Sequence, residues 1–155
     1  LAQIQYLSGQ IHIWWLILLE CTLIVTLFLA RYWQSKLYNP LGFAEEFRKI
    51  QLSKSWLWFF LIVIGLNVIQ RSSGVELPVS GDLLAILLVL FSLQGLSVVH
   101  YRNKTQSLSV AWLVGLYVFL FLVPQVVGLI LAITGLADVL SDFRSLRNAP
   151  KEGED

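Results

Sequence analysis

The sequence predicts an all-α integral membrane protein, a polytopic helix bundle, and three observations carry that expectation. Hydrophobic residues make up 57% of the 155 residues, above the ~45–50% apolar content of soluble domains. They gather into runs long enough to cross a bilayer. The 11 Lys and Arg residues sit between those runs or at their ends, where the charge stays in water.

The first run fixes the scale. From Ile13 to Ala30 there are 18 residues with Glu20 as the only charge, and a helix of that length rises about 27 Å against a hydrocarbon thickness of about 30 Å. With its ends included, the span is placed at 12–33. Further apolar runs at Trp56–Ile69 and Leu83–Tyr101 give spans at 54–70 and 83–101. The last run, Val110–Ala137, is 28 residues long. As one helix it would measure about 42 Å and need strong tilt, whereas two helices hinged at Pro124-Gln125 would not.

Positive charge arbitrates, because Lys and Arg favour the cytoplasmic side. Four spans divide these residues seven to four across the membrane, and a split at Pro124 divides them ten to one. Five transmembrane helices are therefore expected, the last two at 108–123 and 125–141. The alternative is four, the last long and kinked at Pro124. In the five-span arrangement Gln34–Lys54 and the tail from Phe143 are cytoplasmic and Arg71–Asp82 lies outside, with Gly81-Asp82 capping the third span. Residues 1–147 form one transmembrane domain. The polar 148–155 segment has no apolar content to bury beyond Ala149 and Pro150 and is expected to be disordered.

The cytoplasmic connection carries a further signal. Asn39-Pro40 pairs an N-cap residue with a proline suited to the first helical position. Phe43, Phe47 and Ile50 then recur at helical spacing, with Glu45, Glu46, Arg48 and Lys49 between them. A short amphipathic helix over 40–52 is expected, lying on the membrane, docking a partner, or packed on the protein's own loops.

Few residues offer chemistry. A carboxylate at mid-span costs about 2.5–3.5 kcal/mol on insertion scales, so Glu20 is expected to turn inward and find a partner at similar depth. Gln94 matches best. Gln94, Ser97 and Tyr101 share a helical face with His100 beside Ser97, so Glu20, Gln94, Ser97 and His100 form the candidate ligand-binding set, against the plainer reading of one interhelical hydrogen bond. Ala111 and Gly115, then Gly128, Ala132 and Gly135, repeat small residues at helical spacing and mark close helix packing. Asp138 and Asp142 read as a solvated exit from the membrane rather than a cation site.

Several classes are excluded. His12 and His100 are the only histidines and Cys21 the only cysteine, so no metal-ligand spacing exists and no cofactor is implied. No basic stripe of the kind that tracks a nucleic-acid backbone is present. A Ser and a His one turn apart lack the further groups that a hydrolase needs, so the chain is read as non-catalytic. It begins without Met and contains none, so it reads as part of a longer protein.

Three strings, LARYWQSKLYNPLGFAEEFRKIQL, FSLQGLSVVHY and GLADVLSDFR, together resemble the YybS-like bacterial membrane proteins, a family of unknown function, over about residues 28–147. The resemblance implies a multi-pass protein of the bacterial inner membrane with further N-terminal spans. It also implies a remote likeness to the substrate-binding S components of energy-coupling-factor transporters, from which no binding residue carries over. Two functions are expected from this. One is a transport-related protein holding a small solute in a polar cavity near Glu20 and Gln94. The other is an accessory subunit docking onto other membrane-protein subunits through its spans and Phe43, Phe47 and Ile50.

Overall fold

A computed structural model describes residues 2–74, 78–106 and 109–141. Six helices follow one another: α1 (Ala2–Tyr38), α2 (Gly42–Arg48), α3 (Lys54–Ser73), α4 (Pro78–Gln106), α5 (Val110–Leu122) and α6 (Pro124–Ser141). Four of them, α1, α3, α4 and α6, are long and apolar enough to cross a membrane. The 13-residue α5 rises about 20 Å, some two-thirds of the hydrocarbon thickness. The chain breaks between α5 and α6 where expected, at Val123 (φ −135°, ψ 63°), because Pro124 has no N–H to continue the ladder.

The helices outrun the apolar runs that signalled them. At 37 residues, α1 is about 55 Å long, so its ends extend past any bilayer. α4 starts at Pro78, which places Asp82 inside the helix instead of at its cap; its carboxylate meets His12 Nε2 at 3.1 Å. α3 ends as glycine-capped helices do: Gly74, at φ 68°, donates its N–H to Gln70 O at 3.1 Å, a left-handed conformation that costs a side-chain-bearing residue more.

The connection into α2 corrects the sequence expectation. The helix begins at Gly42 and ends at Arg48, shorter than 40–52, and Asn39-Pro40 forms the turn before it. Ser35 supplies the cap from the preceding helix, donating to Asn39 O (2.8 Å) and accepting the Phe43 N–H (3.1 Å). Leu41 takes a left-handed φ of 82° to turn the chain. Gly42 is buried there, and a Cβ on it would meet Asn39 Nδ2 at 2.7 Å.

α4 is the hub, packed on α1, α2, α3 and α6, while α5 rests on α6. Leu87, Phe91, Gln94 and Val98 are buried and recur at helical spacing, forming the stripe that faces the interior. Phe60 and Val63 of α3 and Ala132 and Val139 of α6 close the core around Leu87 and Phe91. Phe60 and Phe91 meet edge to face at 5.2 Å.

The tightest seam is α4 against α6. A Cβ on Gly95 would lie 2.7 Å from the Leu131 carbonyl carbon, and one on Gly135 would lie 3.0 Å from Gly95 N and 3.1 Å from the Phe91 carbonyl carbon. Backbone therefore touches backbone, the close approach that holds apolar helices together in lipid. Gly135 and Ala132 serve this contact. Gly128 contributes its carbonyl, which accepts from Ser92 Oγ at 2.8 Å. Ala111 and Gly115 do not take part: Ala111 is exposed, and a Cβ at Gly115 would meet nothing within 4 Å.

Candidate functional site

The polar residues of α4 hold the chain together from inside. Gln94, fully buried, accepts the Leu52 N–H at 3.0 Å through Oε1 and donates from Nε2 to Asp138 Oδ2 at 2.9 Å. One amide thus joins α4, α6 and the segment before α3. Ser97, also at 0% exposure, donates to Phe47 O (2.7 Å) and Ile50 O (3.4 Å). The Phe47 carbonyl, which also accepts the Ile50 N–H at 3.3 Å, and the Ile50 carbonyl just past the end of α2 are thereby tied to α4. These bonds draw residues 47–52 into the bundle. They also bring Asp138, three residues before the end of α6, to the level of that segment, so α6 ends on the same side as the α2–α3 connection.

Asp138 is therefore no solvated exit. It is completely buried on the inner face of α6, one turn beyond Gly135. Asp142, read together with it from the sequence, lies outside the described residues.

Glu20 and Gln94 are not brought together. Both atoms of the Gln94 amide are engaged elsewhere, as above. Glu20 is half-buried on the face of α1 that turns toward α4, with Oε2 enclosed and without a hydrogen-bond partner among the described residues. The postulated polar cavity between them is replaced by a filled, bonded contact and, apart from it, an apolar cleft.

That cleft, about 700 Å³, lies between α1, α2, α4, α5 and α6. α2 closes one end of it through aromatic contacts: Phe28 meets Phe43 at 5.7 Å and Phe47 at 5.5 Å, and Phe47 meets His100 at 5.2 Å, all edge to face. Phe43 and Phe47 pack on α1 and α4 of the same chain, where the expectation named the membrane, a partner or the protein's own loops. Ile50 is half-buried just past its end, and Glu46 and Lys49 are exposed. Arg31 of α1 ties the outer face down, with Nε 2.7 Å from Glu46 Oε2 and a second bond from Nη2 to Oε1. That bidentate pair holds the Glu46 carboxyl below the ordinary carboxylate range.

One polar pair looks into the cleft. His100 Nδ1 lies 3.0 Å from Leu96 O, and because a carbonyl only accepts, the proton sits on Nδ1. In the neutral ring Nε2 is then an acceptor, positioned for the Tyr117 hydroxyl 3.2 Å away. His100 is thus the one member of the candidate ligand-binding set that lines this space. Tyr117 and Gly95 were not singled out in the sequence. Gly95 follows Gln94 directly within a span, a signal as strong as the small-residue repeats; Tyr117 is one aromatic among many and carried none.

Long apolar helices packed through a glycine seam, with Gln94, Ser97 and Asp138 buried between them, define a polytopic helical membrane protein. The chain belongs to the family described as "Predicted membrane protein (DUF2232)", whose pattern matches residues 3–139. No curated protein and no solved structure matches the chain.

Proposed function

We propose that this protein is a non-catalytic, transport-related component of the bacterial inner membrane that binds a small molecule with an apolar body in the cleft beneath α2. The observation that supports it is the cleft itself. Its volume of about 700 Å³ falls in the ~300–1,000 Å³ range of ligand sites, which combine apolar and aromatic walls with a few placed polar groups. Here the walls are Phe28, Phe43, Phe47 and aliphatic side chains, and the polar groups among them include His100, Tyr117, Ser92 and Arg48. Ser97 argues against hydrolysis, since its hydroxyl is given to backbone carbonyls. The α2–α3 connection, the end of α4 and the end of α6 lie on the cytoplasmic side, as the Lys and Arg distribution requires.

The test fills the cleft without disturbing the fold. Gly128 lines it, and a Cβ there would meet nothing within 4 Å, so Gly128→Phe projects a ring into open space. Mass spectrometry of small molecules copurifying in mild detergent should find a species with the parent protein that is lost from a stably folded Gly128→Phe variant. Identical small-molecule content in both would overturn the reading.

The rival, an accessory subunit, draws on α5, which buries no residue and leaves Ala111 and Gly115 unused. A second chain that copurifies with the protein and is lost on Gly115→Leu would favour it.

A further inference from the structure

The apolar cleft does not end at α2. A second cleft of about 620 Å³ opens on the other side of that helix, lined by Glu45, Arg48, Lys49, Gln51, Tyr101, Lys104 and Thr105. Arg48 lines both. The two are also joined along α4, where successive residues divide between them, His100 facing the apolar cleft and Tyr101 the polar one. Among the described residues, three cations against the carboxylate of Glu45 make the second cleft basic. It lies where α4 leaves its apolar run, at the water-facing end of the bundle.

We infer that the two clefts form one site for an anionic amphiphile, its hydrocarbon chain in the apolar cleft and its phosphate head against Arg48, Lys49 and Lys104. This deepens the small-molecule reading above and rests on it. The apolar half is open along membrane-spanning helices, so its occupant reaches it from the bilayer. A hydrocarbon chain meets there the Leu93 and Leu96 surface of α4 and the aromatic wall of α2. The head emerges at the interface, where basic side chains attract anionic lipid headgroups. α2 is the dividing element because its faces differ: Phe43 and Phe47 point into one cleft, Glu45 and Lys49 line the other.

The experiment uses the full chain in a neutral detergent and three probes: hexadecyl phosphate, hexadecanol and inorganic phosphate. Binding is read by native mass spectrometry for the parent protein, for Gly128→Phe and for the double variant Lys49→Gln/Lys104→Gln. Hexadecyl phosphate should bind tightest, hexadecanol more weakly and inorganic phosphate not measurably. The double variant should weaken hexadecyl phosphate about thirtyfold and leave hexadecanol unchanged, while Gly128→Phe should abolish both. If both long-chain probes bind equally and neither responds to the lysine substitutions, the cleft reading stands and the anionic inference falls. If inorganic phosphate binds as tightly as hexadecyl phosphate, the basic cleft is an independent anion site and the inference falls as well. If no probe binds, or binding of the long-chain probes survives Gly128→Phe, both readings are overturned.

Discussion

Replacing Gly95 by alanine is expected to part α4 from α6. The added methyl would lie 2.7 Å from the carbonyl carbon of Leu131 and 3.0 Å from its Cα, with the carbonyl oxygen nearer still. Carbon atoms pack at about 3.5–4.0 Å, so the helices must retreat by about 1 Å. A gap of that size forfeits about a quarter to a half of each dispersion well across the seam, where Leu87 and Phe91 meet Ala132 and Val139. It also stretches the 2.9 Å Gln94–Asp138 bond beyond useful length. Overpacking of this kind costs about 1–3 kcal/mol, a membrane hydrogen bond adds about 0.6, and the better helix propensity of alanine returns about 1. The net loss is about 0.5–2.5 kcal/mol. Thermal unfolding followed by tryptophan fluorescence in one detergent measures it, with Gly115→Ala as the control because that methyl meets nothing. Gly95→Ala should melt below the parent protein and Gly115→Ala should not. A Gly95→Ala variant as stable as the parent would refute the backbone seam. Gly135→Ala should behave like Gly95→Ala, and the double variant should lose less than the sum, since either methyl alone already separates the pair.

Further outcomes follow from the polar contacts. Gln94→Leu removes the bonds to Leu52 and Asp138 together and should cost about 1–3 kcal/mol in the same melting assay, whereas Asp138→Asn keeps an acceptor and should cost much less; equal melting of Gln94→Leu and the parent would count against the clamp. Because Arg31 lowers the Glu46 carboxyl pKa, the tie between α1 and α2 contributes fully above the ordinary glutamate value of about 4.3 and is lost as pH falls through the lowered one. A carbon-detected NMR titration should give Glu46 a midpoint below that in Arg31→Gln, and coincident midpoints would remove the tie. For the topology, single cysteines at Ser53, Thr105 and Ser141 in a Cys21→Ser background should label from one side of the membrane and a cysteine at Ser72 from the other; labelling of residue 141 with residue 72 would exclude five crossings.

What the sequence determined by itself was the class of the protein and the places where its helices break. Runs such as Ile13–Ala30 can satisfy their backbone polar groups in lipid only as helix, and Pro124 interrupts the ladder whatever surrounds it. The close packing at Ala132 and Gly135 was also legible, because close approach in lipid needs small side chains, whereas a Cβ at Gly128 would meet nothing within 4 Å. Tertiary structure alone decided the partners. Glu20 and Gln94 agreed in depth along their own helices, but depth says nothing of rotation about the helix axis, and Gln94 faces α6 and the α2–α3 connection, so its amide went to Asp138 and Leu52. Asp138 looked like a solvated residue because it sits near the end of an apolar run; it is buried because the Gly95–Gly135 seam holds that end of α6 against α4. The cleft was invisible for the same reason. Its walls come from five helices, and whether the space among ordinary apolar side chains is filled or left open depends on how those helices pack, which no local pattern in the chain encodes.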